Sequence, residues 1–232
     1  MIGYKVAKHG DTRVIVTLEI PEDAQTNMGR SSVAVRETAT YRANKAKVLA
    51  IEDDSGASYA SAASFSYNKK SLTYKVGEMI EEPSFNPDPE KVCAEGIHFF
   101  LTRRVAELYS LPVENGLYQS WHENGQKWEE AHYVDGKHHG LYQSWHPNGQ
   151  KEIEMTCPDG KCLYWHQNGQ KYMEGTWVNG KRHGLYTHWH QNGQKFIETT
   201  YVNGELHGPK QEWKEDGAIH KVALYKNGVK VF

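Results

Sequence analysis

Four histidines recur at one fixed place: His122, His146, His166 and His190 each follow a tryptophan and stand two residues before the asparagine of an Asn-Gly pair. A row of imidazoles invites a zinc reading, because a Zn²⁺ ion takes His, Cys or carboxylate ligands at about 2.0–2.3 Å. If the four occupy equivalent strands of successive hairpins, neighbours stand two strand spacings apart, about 9.6 Å. Their rings then cannot share one ion. A mixed site drawing on His138, His139, His166 or His183 stays open, but the pattern favours partly exposed structural histidines, with no metal and no cofactor. So many imidazoles charging together would loosen the array below about pH 6.

Stepping the spacing along the chain gives the element that carries these histidines. The phrase Asn-Gly-Gln-Lys places glycines at Gly125, Gly149, Gly169 and Gly193, and a worn copy supplies Gly217. A second series, each member preceded by Asp or Asn, runs Gly136, Gly160, Gly180, Gly204 and Gly228. Both series are spaced 24, 20, 24 and 24 residues, so the third unit is four residues short. Self-similarity at such a period marks a repeat architecture. Asn-Gly between apolar, aromatic runs is a hairpin signal, and a type I′ turn needs positive φ at both central residues. Each unit therefore reads as one antiparallel hairpin, and five of them give about ten strands.

Alternation along the strands assigns faces. One face is expected to carry the aromatic columns Trp121, Trp145, Trp165, Trp189 and Trp213, and Tyr133, Trp177, Tyr201 and Tyr225, with Cys157 in the latter, and Leu117, Leu141 and Leu185 beside them. Slim residues such as Ala131, Gly175 and Ala223 next to those rings suggest aromatics lying over neighbouring backbone. Glu130, Glu154, Glu174 and Glu198 mark an opposite, wet face. Cys157 and Cys162 flank the turn at Asp159-Gly160 and could face each other, although free thiols are expected in a reducing compartment.

Before residue 111 no repeat is found. "TRVIVTLEI" (12–20), "KAKVLAIE" (45–52) and "SLTYKVGEMI" (71–80) read as strands, and the proline-rich 81–91 as a loop. Thr102 is a good N-cap for a helix that places Val105, Leu108 and Tyr109 on one face before Pro112. The fold class is mainly β: a small α+β domain over 1–111, then an elongated single-layer antiparallel sheet of hairpins over 112–232, the fifth hairpin serving as a cap.

Composition narrows the function. In 232 residues the formal net charge is −2, which supplies no basic footprint for nucleic acid. No apolar run is long enough for a transmembrane helix, and no signal peptide is evident. Three cysteines form no even framework and no CxxC pair, so a cytoplasmic protein is expected.

The units "GLYQSWHENGQKWEEAHYVDGKHHG" and their copies resemble MORN repeats, in the Asn-Gly-rich variant of bacterial antitoxin-like proteins and giant DNA viruses. "YRANKAKVLAIEDDSG" (41–56), "LTYKVGEMI" (72–80) and "CAEGIHFFLTRRVAELY" (93–109) are similar to an uncharacterised domain that accompanies such repeats in giant-virus and phage proteins. The resemblance implies a twisted antiparallel sheet, a propensity to dimerise or scaffold, and no catalysis; lipid-surface binding is often proposed for MORN proteins. "GIHFFLTRRVAELY" (96–109) also faintly resembles the Gly-Ile-Tyr-Phe segment of ADP-ribosyltransferases, but His98 stands where tyrosine belongs, and His9-Gly10 lies far upstream of any matching pattern. Gly96 reads equally as a turn before a buried strand. No Walker loop, GxGxxG, nucleophile elbow or HExxH occurs.

The sequence thus points to a non-catalytic interaction or scaffolding module, homodimeric through open sheet edges. Ile97, His98, Phe99 and Phe100 are a second candidate interface. An unidentified protein is the expected partner, with membrane lipid as the alternative.

Overall fold

The computed structural model describes residues 1–64, 71–109 and 115–232. The chain forms two units: Met1–Leu111 with Trp121–Gln126, and Pro112–Ser120 with Lys127–Phe232. The expected boundary at Leu111–Pro112, and Pro112 as the end of the helix, lie outside the described residues.

The N-terminal unit is built on a hairpin of β1 (Ile2–His9) and β2 (Thr12–Glu19), closed by Gly10 at φ 58°. To these are added β3 (Thr40–Ala43), β4 (Lys45–Glu52), β5 (Ser61–Ala63), β6 (Thr73–Lys75), β7 (Met79–Glu81) and β8 (Ile97–Phe100). The main path runs β3-β8-β1-β2-β4-β7, with β5 pairing β1 and β6, and every pairing is antiparallel. The uninterrupted Val14-Ile15-Val16 run in β2 has a physical reason, since both faces are covered. Val14, Val16 and Leu18 enter the main core with Tyr41, Phe99 and Tyr74. Ile15 turns the other way, to Val6, Phe100, Val105 and Ala106.

The short helix α1 (Arg103–Leu108) covers that second side. Thr102 occupies the N-cap position but its hydroxyl makes no capping bond. The other end is held instead, because Arg13 Nη2 donates to the carbonyls of Ala106 (2.8 Å) and Glu107. Val105 and Leu108 are buried as expected, whereas Tyr109 is half exposed.

Two sequence expectations change here. The run 71–80 is not one strand: Gly77, at φ 88°, splits it into β6 and β7. The segment Ile97–Phe100 is not an exposed interface. It is an interior strand between β3 and β1, with Ile97 and Phe99 fully buried.

The proline-rich loop after β7 is organised by one side chain. Arg42, fully buried, donates from Nη1 to the carbonyls of Asn86 (3.0 Å) and Glu95 (2.9 Å) and from Nη2 to those of Asp88 (2.9 Å) and Lys91. A loop whose prolines cannot build a ladder thereby has its carbonyls satisfied by one guanidinium.

The repeat unit is a 12-stranded antiparallel sheet. Its strands are β9 (Gly116–Trp121), β10 (Lys127–Val134), β11 (Lys137–Trp145), β12 (Lys151–Cys157), β13 (Gly160–Trp165), β14 (Lys171–Val178), β15 (Lys181–Arg182), β16 (Gly184–Trp189), β17 (Lys195–Val202), β18 (Glu205–Trp213), β19 (Ile219–Lys226) and β20 (Val229–Lys230). They follow one another in chain order, β15 pairing only with β14. The sequence expectation of stacked hairpins holds. The two strands beyond ten are β15 and β20, both two residues long.

Candidate interaction surface

The two glycine series make different turns. At Asp135-Gly136, Asn179-Gly180, Asn203-Gly204 and Asn227-Gly228 both residues have positive φ, between 49° and 90°, the type I′ geometry. In the Asn-Gly-Gln-Lys loops only the glycine does, at 79–88°. There the Gly125 N–H donates to the His122 carbonyl and the His122 N–H to the Gln126 carbonyl, both at 2.8 Å. The same pair of bonds closes the loops at 146–150, 166–170, 190–194 and 214–218. That is a type I turn followed by a left-handed glycine, a three-residue hairpin loop with a bulge. The expected type I′ turns therefore sit at the Asp/Asn-Gly edge alone.

The repeated histidines stitch these loops together. The Nε2–H of His146 donates to the Trp165 carbonyl (3.0 Å), that of His166 to Trp189 (3.1 Å) and that of His190 to Trp213 (3.0 Å). Beside each, the amide of Asn148, Asn168 and Asn192 donates to the carbonyl of Gln167, Gln191 and Glu215, all at 2.7 Å. Every stitch points from one unit to the next. It stops at the fifth loop, where Lys214, Asp216 and Ala218 replace His, Asn and Gln. The histidine column is thus structural, its ring N–H spent on backbone. Among the described residues no group of three or more His, Cys, Asp or Glu is arranged to hold a metal.

The loop at 122–126 belongs to the N-terminal unit. Ala34 and Val35 N–H donate to the Asn124 carbonyl at 2.9 and 3.0 Å, and Arg30 donates to the Glu123 carbonyl. A side chain at Gly125 would meet the Val35 carbonyl oxygen at 1.9 Å, so only glycine fits.

Cross-strand register decides the two faces, because directly opposed residues point the same way. Glu130 opposes Gln143, Gln143 opposes Glu154, and Glu154 opposes Leu163, which opposes Glu174. Trp145, Trp165 and Trp189 lie two residues beyond Gln143, Leu163 and Thr187 on the same strands, and so stand with the glutamates. This corrects the expected aromatic face: Trp121, Trp145, Trp165, Trp189 and Trp213, with Leu117, Leu141 and Leu185, are on the glutamate side. Likeness of side chains had grouped them with the tyrosines; register separates them.

On that side the tryptophans of the second to fifth units are each covered by a lysine of the preceding unit. The ammonium groups of Lys127, Lys151, Lys171 and Lys195 lie 5.2, 5.7, 5.2 and 5.6 Å from the ring centres of Trp145, Trp165, Trp189 and Trp213. Each also pairs with the glutamate three residues on, as Lys171 does with Glu174 at 2.6 Å. The lysine bonds, with Lys161 as the larger partner of Glu174, hold the carboxyls of Glu130, Glu154 and Glu174 below the usual range. Trp121 has a separate task, packing on the Val6–Phe100 cluster of the N-terminal unit.

The opposite face covers itself. Tyr186, 2% exposed, lies over Gly175, where an added Cβ would sit 2.3 Å from its ring, and its hydroxyl donates to the Thr176 carbonyl at 2.8 Å. That is the ring over backbone that the slim residues suggested. Tyr133, Tyr201 and Tyr225 share this face with Cys157 and Trp177. The short third unit puts Cys162 in the place that Tyr142 takes in the second, both opposing Met155. Cys162 is buried, Cys157 half-buried, and both are free; burial pushes both thiols up.

In the N-terminal unit the His98 ring is bonded to the Val92 carbonyl at 3.1 Å, and burial lowers its pKa. His9 Nδ1 donates to the Ser61 carbonyl at 2.7 Å. Both imidazoles are engaged by backbone.

With this geometry in view, comparison with known families is direct. Residues 114–135, 139–156, 158–179 and 182–203 match the MORN repeat variant. Four hairpins are MORN repeats. Residues 1–106 match a family of unknown function (DUF5758). A search of curated proteins found no match. The fifth hairpin lies beyond the matched MORN stretches yet keeps the same loop closure and accepts the same stitches, so it continues the array structurally.

Sequence reasoning located every turn of the MORN array and missed the stitches. The signal was present, for a hairpin turn requires only Asn-Gly, whereas His and Gln are printed alongside it in four successive loops.

Proposed function

We propose that the protein is a non-catalytic interaction module in which the MORN array is a stiff scaffold for a protein partner and the working form is a homodimer. The observation that carries this is the one-way series of stitches, which spends the polar groups of the loops on neighbouring units instead of on a substrate. A repeat sheet tied this way gains stability through nearest-neighbour contacts and offers one regular surface. The match to MORN repeats supports a repeat-based binding or scaffold role, and the free thiols fit a reducing compartment.

Size-exclusion chromatography with light scattering on the whole chain tests the homodimer. A dimer mass that persists on dilution supports it; a monomer at high concentration sinks it. Flotation with anionic liposomes tests the lipid alternative, and co-migration with the vesicles would replace the protein-partner reading.

A further inference from the structure

The glutamate side of the MORN array is not uniform. Towards the Asn-Gly-Gln-Lys loops it carries the neutral ladder of Lys, Glu and Trp described above. Towards the type I′ turns it carries an apolar band: Val134, Leu141, Val178, Leu185, Val202 and Leu224 are 46, 51, 43, 55, 40 and 42% exposed. Register places them together, since Leu141 and Leu185 lie two residues before the glutamate-paired Gln143 and Thr187, and Leu224 opposes Pro209 beyond Gln211. The tyrosine face is the more closed of the two, since Tyr186, Cys162, Ala131 and Ala223 on it are buried. Thr156, Lys161, Thr176 and Thr200 stand among the valines and leucines on their face, Lys161 reaching Glu174 at 2.7 Å, and exposed aliphatic side chains recurring along this half of a sheet face mark an interaction surface.

We infer that this face packs against the same face of a second copy of the chain, with the twofold axis parallel to the strands. The inference rests on the homodimer reading and names its surface. Rotation about that axis reverses the order of the units but keeps the loops on one side, so apolar band meets apolar band and ladder meets ladder. Rotation about the array direction would lay charged ladder on bare leucine. Each ladder pairs its lysines with its own glutamates, so it presents no net charge to repel its copy. The footprint is sufficient. Nine strands, β10 to β14 and β16 to β19, at about 4.8 Å spacing and about seven residues deep give roughly 38 by 23 Å, near the 800 Å² per partner of a stable interface. Two sheets stacked about 10 Å apart are an ordinary way to bury such a face.

The test uses the full chain and the double variant Leu141→Lys/Leu185→Lys. Both sites are exposed, so the fold is expected to persist, checked by circular dichroism. The dissociation constant should rise about a hundredfold. A wild-type dimer whose variant dimerises with unchanged affinity overturns the assigned face and leaves the homodimer standing; a wild-type monomer removes both. Orientation is read in a Cys93→Ser background. Leu185→Cys, one strand from the axis and about 14 Å from its copy, should be joined to it by a bismaleimide of that reach, and Leu141→Cys, about 30 Å from its copy, should not. Equal linking at the two sites, which an axis along the array would give, or linking at Leu141→Cys alone, excludes the proposed axis.

Discussion

The His166 imidazole donates its Nε2–H to the main-chain carbonyl of Trp189, 3.1 Å away and one unit further along the chain. The bond joins consecutive MORN hairpins at their loops, on top of the strand pairing between them. A net hydrogen bond of this kind is worth about 1 kcal/mol. His166→Ala should therefore lower the melting temperature by about 2–4 °C, and removal of His146, His166 and His190 together by roughly three times as much. Thermal unfolding by circular dichroism checks this. An unchanged triple variant would show the stitches to be ornamental.

Acid should weaken the protein, but not by breaking these stitches. The bond needs only Nε2–H, and protonation adds its proton at Nδ1. His98 and His188 behave differently, because burial lowers their pKa below the ordinary value, reinforced by Lys5 for His98 and by Arg182 for His188. The unfolded chain then binds protons first as pH falls through about 6.5, so stability is complete above that value and declines below it. The depressed carboxyls of Glu130, Glu154 and Glu174 add a second loss as pH falls through the carboxylate range. Calorimetry from pH 7.5 to 5.5 should show a falling transition. His188→Gln should flatten it.

Gly175 is set by the ring above it. Gly175→Ala places a methyl 2.3 Å from Tyr186 Cε1 and should cost about 1–3 kcal/mol. In a Tyr186→Ala background the same change should cost much less. Denaturant titrations of the four proteins give the coupling, and additive effects would refute the contact.

Arg42 is the anchor of the N-terminal unit. Arg42→Met leaves four loop carbonyls without their donor and should destabilise that unit by about 3 kcal/mol or more. Arg42→Lys should rescue little, since an ammonium cannot reproduce the planar fork. Limited proteolysis is the readout, with earlier cleavage between residues 83 and 96 expected in both variants.

Much of the fold could be read without coordinates because repetition is a strong signal. The period placed both turn series, the shortened third unit and the hairpin array, and the strands 12–19 and 45–52 stood out as β-branched or alternating runs. Local chemistry alone fixes these features. What could not be read depended on register. The Asn-Gly loop closes three residues with one left-handed glycine, and the return strand then carries one extra residue, as at Glu152 between the pairs Trp145–Lys151 and Ser144–Ile153. Which side chains share a face is settled by the pairing carried through such loops, and likeness of type misled.

By itself the sequence determined that five hairpins follow one another, since each turn needs only its own residues. Only tertiary structure decided what those hairpins do to one another. It joined a histidine to a carbonyl one unit on, divided the tryptophan column of the outgoing strands from the tyrosines and left a band of valines and leucines exposed. It also buried Ile97 and Phe99, which the sequence had offered as surface. Those outcomes depend on groups far apart in the chain meeting at hydrogen-bonding and van der Waals distance, and no local pattern encodes that meeting.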